Sequence, residues 1–229
     1  MTLAMQLTME ERRNRLRTWL DRIQSNVTEA IINQHIFWEV QDIIRNNHEL
    51  QDSSSVFYIW MGSTFVHSSV LAVRRQLDKD ERSVSLLQFL LELKEYPELI
   101  SRNFHRSLYN EPAYGTERSD DMANYTYDKF VGVKATSLNP ATVQQEIDSL
   151  KAASERLRHY ANRNVAHYDG RGLQHPTPKF EELTECLALM EKLILRYLLL
   201  LKGTSPDKLL PTFAEDWKQV FRAAWITGA

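Results

Sequence analysis

Apolar residues recur every three or four positions through most of this chain. The spacing places them on one face of a helix, and it predicts long amphipathic helices over residues 10–46, 56–77, 139–161 and 177–203. Capping signals predict three shorter helices, which follow Ser85, Pro97 and Thr212. The helical pattern therefore covers most of the chain.

The pattern is weaker in one internal segment and at the C-terminus. Residues 110–138 contain the polar run 117–121, which predicts a loop-rich insertion with a short helix reaching Phe130. A short C-terminal helix is predicted over 212–226. Because no internal repeat or strand–turn–strand pattern occurs, we expect an all-α fold. It is predicted to be a single helical domain, 1–229, in which two long antiparallel helices bracket a loop that contains His167.

The composition agrees with a folded helical protein. Of the 229 residues, 43% are hydrophobic and 25% are charged, and glycine and proline occur only seven times each. The single cysteine, Cys186, can form no intramolecular disulfide, which favours a reducing compartment. The N-terminus has no secretory apolar stretch, and the most apolar run, 193–201, is too short to span a bilayer. We therefore expect a cytoplasmic protein without a membrane segment.

The net charge of −2 gives no global signature of nucleic-acid binding, so any RNA contact must come from a local basic patch. The chain has no glycine-rich phosphate loop, Cys-x-x-Cys or His-Glu-x-x-His motif, and no metal or cofactor is expected.

One segment concentrates polar side chains where a predicted helix ends, and it runs from Tyr160 to Asp169. His167 can transfer protons near neutral pH, while Asn162 and Arg163 can hold a phosphate. Arg158 and Arg171 flank the segment on either side. On residue types alone, the simpler interpretation is a polar helix C-cap followed by a charged loop.

The same segment resembles the motif of HEPN proteins, in particular the AbiU-type abortive-infection branch. That motif pairs an arginine with a later histidine, and in this branch it reads like Tyr-Arg-Asn-x-x-x-Ala-His-x-Asp. Its matching positions here are Tyr160, Asn162, Ala166, His167 and Asp169. Two further blocks, 72–87 and 216–226, are similar to the same branch.

The resemblance implies a homodimeric helical bundle in which two motifs face each other. It implies a metal-independent endoribonuclease of toxin–antitoxin or anti-phage systems, with RNA as substrate and a cognate antitoxin protein as a further partner. In that reaction the ribose 2′-hydroxyl attacks the adjacent phosphate and His167 transfers protons. Asn162 would orient the phosphate or the backbone. The implied phosphate contacts are Arg158, Arg163 and Arg171, and the implied supports of the motif are Tyr160 and Asp169.

The chain departs from the motif at its arginine, because Ala161 occupies that position. The resemblance therefore predicts that this chain is inactive and that Ala161→Arg creates or restores cleavage. Either the protein is a naturally inactive member or the arginine was replaced to silence a toxic enzyme. We favour the second explanation because the rest of the motif is intact. The alternative function is a non-catalytic module that binds a partner protein or a nucleotide.

Overall fold

The computed structural model describes residues 7–51, 55–109, 116–165 and 177–222, and within these ranges the chain forms helices and no strand. The α-helices are α1 Met9–Arg45, α2 His48–Gln51, α3 Val56–Arg75, α4 Leu86–Glu95, α5 Arg102–Ser107, α6 Thr116–Phe130, α7 Pro140–Tyr160 and α8 Phe180–Lys202. Two 3₁₀ turns, Pro97–Ile100 and Trp217–Arg222, and a π-helical turn, Ala161–Val165, complete the set. The predicted all-α fold is confirmed.

Local capping chemistry explains where several helices begin. Thr8 accepts a hydrogen bond from the backbone N–H of Glu11, whose carboxylate accepts from the backbone N–H of Thr8, so that α1 begins with a complete capping box. Asn139 caps α7 through Ala141, with proline at the first helical position. The cap at Asn139 is one that the sequence predicts, whereas the capping box at Thr8 is not among the predicted signals.

Ion pairs between α7 and α8 show how these two long helices run relative to each other. Arg156 near the end of α7 pairs with Glu182 near the start of α8 at 2.5 Å. Glu146, near the start of α7, binds Arg196 and Tyr197 towards the end of α8. The two helices are therefore antiparallel, as predicted. The predicted loop with His167 falls on residues 166–176, which lie outside the described ranges.

Helix α1 also packs antiparallel to α8. Gln34 donates to Thr184 near the start of α8 at 2.8 Å, and Lys202 at the other end of α8 pairs with Asp21 at 2.5 Å. The core lies where α1, α3, α4, α7 and α8 meet. It buries the predicted apolar stripes, among them Leu16, Leu20, Ile23, Val27, Val143, Ile147, Leu150, Leu187, Met190 and Ile194. Cys186 lies in this core, where burial raises the pKa of its thiol to about 12.

The short helix predicted to reach Phe130 is longer than expected, because the 15-residue helix α6 begins at Thr116 and includes the polar run 117–121 that was predicted as a loop. Its polar residues are used in contacts between helices, which the sequence pattern does not reveal. Arg106 of α5 binds Asp120 at 2.6 Å, and Arg102 binds Asp128 at 2.6 Å. Residues 110–115 lie outside the described ranges.

The predicted C-terminal helix also differs in the structure. The capping box expected at Thr212 does not start a helix, and the first helical residue is Trp217 in a 3₁₀ turn. Residues 223–229 lie outside the described ranges. The turn is held to α1 by an ion pair between Lys218 and Glu39.

Helix α3 is strongly apolar although much of its surface is exposed to solvent. Its mean hydropathy of 1.4 and length of 20 residues would allow it to cross a membrane. Of its apolar stretch, 22% is buried in the fold. One such helix among the described residues is weak evidence for a membrane segment. Its N-terminal half exposes Val56, Phe57, Ile59 and Trp60.

Candidate functional site

Helix α7 changes geometry where the candidate motif begins. After Tyr160 the chain passes into the π-helical turn Ala161–Val165. Such turns insert an extra residue into a helix and occur frequently at functional sites, because they redirect the side chains that follow. The geometry at the motif therefore departs from a regular helix.

Neighbouring residues of this turn have opposite environments. The side chain of Ala161 is 0% exposed and belongs to the hydrophobic core. Asn162 is half-buried and lines a surface groove. The position that would hold the motif's arginine thus starts inside the core, whereas the next residue faces the solvent-accessible side.

The groove, of about 440 Å³, lies between α7, the end of α3 and the start of α4. One wall is a stripe on α7 and its π-helical turn, formed by Lys151, Glu155, Arg158 and Asn162. Their spacing of three or four residues places them on one helical face. The other wall is formed by Arg74, Leu77, Asp78, Lys79 and Leu87.

The groove is positively charged although the chain as a whole is acidic. Among the described residues its lining contains four cationic side chains and two carboxylates. The cations are Arg74, Lys79, Lys151 and Arg158, and the carboxylates are Asp78 and Glu155. A local excess of cations beside a net charge of −2 is the basic patch that RNA binding by this chain would require.

A side-chain hydrogen bond connects the two walls at the motif. Nε of Arg74, in the last turn of α3, donates to Oδ1 of Asn162 at 2.5 Å. Arg74 is exposed, and within the described part of the chain neither of its Nη groups has an acceptor. The motif asparagine therefore holds a guanidinium that comes from another helix.

The wall opposite α7 is held in place by hydrogen bonds around the buried Ser85 and the side chain of Gln88. Ser85 donates to the carbonyl oxygen of Asp78 at 2.7 Å and accepts from the backbone N–H of Gln88 at 3.1 Å. The side chain of Gln88 donates to the carbonyl oxygen of Lys79 at 2.7 Å. The loop that presents Lys79 to the groove is thus fixed before any ligand binds.

The structure places the predicted site residues in three different settings. Arg158 and Asn162 lie in the groove. Tyr160 packs against the core, and its carbonyl oxygen accepts from Nδ2 of Asn164 at 3.3 Å. Arg163 is half-buried and is not among the residues that line the groove. The remaining predicted site residues, His167, Asp169 and Arg171, lie outside the described ranges.

Three cations of the groove are not among the site residues predicted from the sequence, namely Arg74, Lys79 and Lys151. Lys151 could have been found, because it precedes Arg158 by seven residues on the same helical face. Arg74 belongs to a block that resembles the AbiU-type branch, but nothing in its local sequence predicts its contact with Asn162. Lys79 lies in a run of charged residues that is typical of a solvent-exposed turn, so the sequence does not indicate a role in the site.

Comparison with known proteins agrees with this picture. The model of a HEPN protein family described as AbiU2 matches residues 14–220, which covers the helices, the groove and the π-helical turn. No curated protein and no solved structure is significantly similar to the chain.

Proposed function

Because this chain belongs to the AbiU2 family of HEPN proteins, we propose that it is a metal-independent endoribonuclease of an abortive-infection or related toxin–antitoxin system. The observation that supports the proposal is the basic groove, which has the motif residue Asn162 in its lining. A groove of this charge suits a polyanion, and its position beside the motif would bring a phosphate to the residues expected to react.

The proposed reaction is transfer of a phosphoryl group within the RNA strand. The ribose 2′-oxygen forms a bond to the adjacent phosphorus and loses its proton, while the bond to the 5′-oxygen breaks and that oxygen gains a proton. The products are a 2′,3′-cyclic phosphate and a 5′-hydroxyl. His167 is the proposed proton-transfer group, and cationic side chains stabilise the charge that builds up on the phosphate oxygens.

Cations of the groove would hold the strand on both sides of the scissile phosphate. Lys151 and Arg158 follow each other along α7, and Lys79 faces them from the opposite wall. Such contacts carry no sequence information, but they position the strand and make binding dependent on salt. We therefore propose RNA, bound through its phosphates, as the substrate class.

We also propose that the chain acts as a homodimer. One motif offers a single histidine, whereas two facing motifs provide separate groups for proton removal and proton donation. The exposed apolar residues of α3 support this proposal, because Ile59 and Trp60 are 71% and 59% exposed. They lie on the helix whose last turn contains Arg74, so the proposed interface and the groove share one element.

Ala161 is the feature that favours the rival function, a non-catalytic module. Alanine has no guanidinium, and its methyl group is fully buried, so position 161 offers the groove no cation. The prediction of an inactive chain assumes that no other residue supplies that group. A module of this kind would bind RNA, a nucleotide or an antitoxin protein through the same groove and leave the RNA intact.

Incubation of the purified chain with mixed-sequence single-stranded RNA in EDTA tests the proposal. The motif alone predicts an inactive chain, but we propose that an arginine of the groove supplies the guanidinium that Ala161 lacks. We therefore expect cleavage that leaves 2′,3′-cyclic phosphate ends, and we expect none with the His167→Ala variant. The matched control is His48→Ala, at an exposed histidine of α2. If the unaltered chain binds the RNA and never cuts it, the binding-module function replaces the proposed one.

A further inference from the structure

We infer that Arg74 supplies to the RNA phosphate the guanidinium that the motif lacks at position 161, and that Asn162 positions it. The inference rests on the proposed ribonuclease function and identifies a phosphate-binding residue for it. Arg74 belongs to α3, whereas the motif follows α7, so the group would reach the site from a different part of the fold.

The position of Ala161 requires another source for this group. A side chain at 161 begins among core residues, since that residue is 0% exposed. Asn162, one residue later, faces the groove and accepts from Nε of Arg74 at 2.5 Å. This contact places a guanidinium within one side-chain length of the motif's backbone.

The hydrogen bond also leaves Arg74 suited to bind a phosphate. An arginine has five N–H donors in a planar fork, and the bond to Asn162 uses only the one on Nε. The two Nη groups, which have no acceptor within the described ranges, provide the remaining donors. Because Nε is anchored, the plane of the guanidinium is restrained, and less freedom is lost when it binds an oxyanion.

The other arginines near the motif are placed less favourably. Arg156 is committed to Glu182 and to the carbonyl oxygen of Thr177. Arg163 is half-buried and does not line the groove. Arg158 does line it but lies one helical turn before Asn162. Of the described cations, Arg74 is the one that contacts the motif from within the groove.

A purely structural role for Arg74 is the main alternative. Cations in the last turn of a helix interact favourably with its carbonyl end, and Arg74 is in the last turn of α3. Arg75 shares that last turn, is also exposed and is not part of the groove lining. Arg75→Gln therefore removes the same charge from the same helix end and is the matched control.

The experiment compares Arg74→Gln, Arg74→Lys, Asn162→Ala and Arg75→Gln with the unaltered chain. Single-turnover cleavage of mixed-sequence single-stranded RNA is measured in EDTA, and affinity is measured with a 2′-O-methyl RNA of the same length. Thermal unfolding shows that each variant is folded. Loss of one preorganised donor lowers the rate by about 100-fold or more, and this is the expected effect of Arg74→Gln.

The other variants separate charge from positioning. Arg74→Lys keeps the charge without the planar fork and is expected to retain only part of the rate. Asn162→Ala keeps Arg74 but frees it, so that the rate falls while affinity for the 2′-O-methyl RNA stays close to that of the unaltered chain. Arg75→Gln is expected to cleave like the unaltered chain.

Two outcomes would overturn the inference, and they differ. If Arg74→Gln and Arg75→Gln cleave equally well, Arg74 is not the phosphate-binding residue, while the ribonuclease function stands. If the unaltered chain cuts no RNA, the ribonuclease function fails and this role of Arg74 fails with it.

Discussion

The side chain of Gln76 joins three helices at the wall of the groove. Its Oε1 accepts from the backbone N–H of Leu86, the first residue of α4, at 3.0 Å. Its Nε2 donates to Oδ1 of Asn26 in α1 at 2.8 Å. Gln76 directly follows α3 and is 2% exposed. This buried amide therefore sets how α4 and the loop before it meet the end of α3.

Replacing Gln76 by alanine is expected to destabilise the fold. The change leaves the backbone N–H of Leu86 and the amide of Asn26 without their buried partner, which typically costs about 1–3 kcal/mol. Urea unfolding of Gln76→Ala would measure the loss. The control is Gln145→Ala at an exposed position of α7, where little change is expected. Equal stabilities for the two variants would contradict this role of Gln76.

Substitution of Ala161 by arginine is expected to lower stability, because the alanine side chain is fully buried. Overpacking of a core position typically costs about 1–3 kcal/mol, and a charged group adds a desolvation penalty. The midpoint of thermal unfolding should fall for Ala161→Arg and not for Ala188→Arg, at an exposed position of α8. If Ala161→Arg keeps its stability and increases RNA cleavage, the new side chain leaves the core and acts as the motif's arginine.

Stability should depend on pH through His105. Its Nδ1–H donates to the carbonyl oxygen of Leu200 at 3.2 Å, and Nε2 lies 2.9 Å from Oγ1 of Thr126. Burial lowers the pKa of His105 below its usual 6.5, an effect that the hydrogen bond to Leu200 opposes and the charge of Arg102 reinforces. The folded state therefore keeps this histidine neutral at pH values where the unfolded chain already binds a proton.

The sign of the effect follows from that difference in pKa. The contribution of His105 is fully present above pH 6.5 and is lost as the pH falls from 6.5 towards the lowered pKa of the folded state. Urea unfolding across this range should show a smaller loss of stability for His105→Gln than for the unaltered chain. The exposed His48 provides the control, since His48→Gln should leave the pH dependence unchanged. A pH dependence that His105→Gln does not alter would refute the prediction.

A charge on the apolar surface of α3 should disrupt the proposed dimer. Trp60 is 59% exposed, and burying a glutamate in its place at an interface between two copies is unfavourable. Light scattering is expected to give a dimer for the unaltered chain and a monomer for Trp60→Glu. Tyr125, 66% exposed on α6, provides the control Tyr125→Glu, which should remain dimeric. A dimer that tolerates Trp60→Glu would show that α3 does not form the interface.

Neutralising Lys151 should reduce the salt dependence of RNA binding. Each lost phosphate contact lowers the slope of log affinity against log salt by about 0.7 for a single strand. Fluorescence anisotropy with a 2′-O-methyl RNA would measure that slope for Lys151→Gln. Lys192→Gln on α8, outside this groove, is the control and should bind with an unchanged slope. If Lys151→Gln and Lys192→Gln give the same slope, RNA does not bind along the groove.

The candidate site was only partly predictable from the sequence. Arg158 and Asn162 were identified because they belong to the motif or lie one turn before it. The contact between Asn162 and Arg74 joins residues that are 88 positions apart. No local pattern encodes such a pairing, because it depends on the rotation and the offset of α3 against α7. Arg163, for which the resemblance implies a phosphate contact, is not among the residues that line the groove.

The sequence by itself determined the all-α fold, most helix bounds and the apolar faces that form the core. These features follow from periodicity and from caps such as Ser85 and Asn139, which act within one turn of the chain. Only the tertiary structure decided that Ala161 is buried, that the polar run 117–121 is part of α6 and that cations from α3 and α7 share one groove. The physical reason is that burial and charge proximity are set by how distant helices pack, and packing is a property of the whole fold.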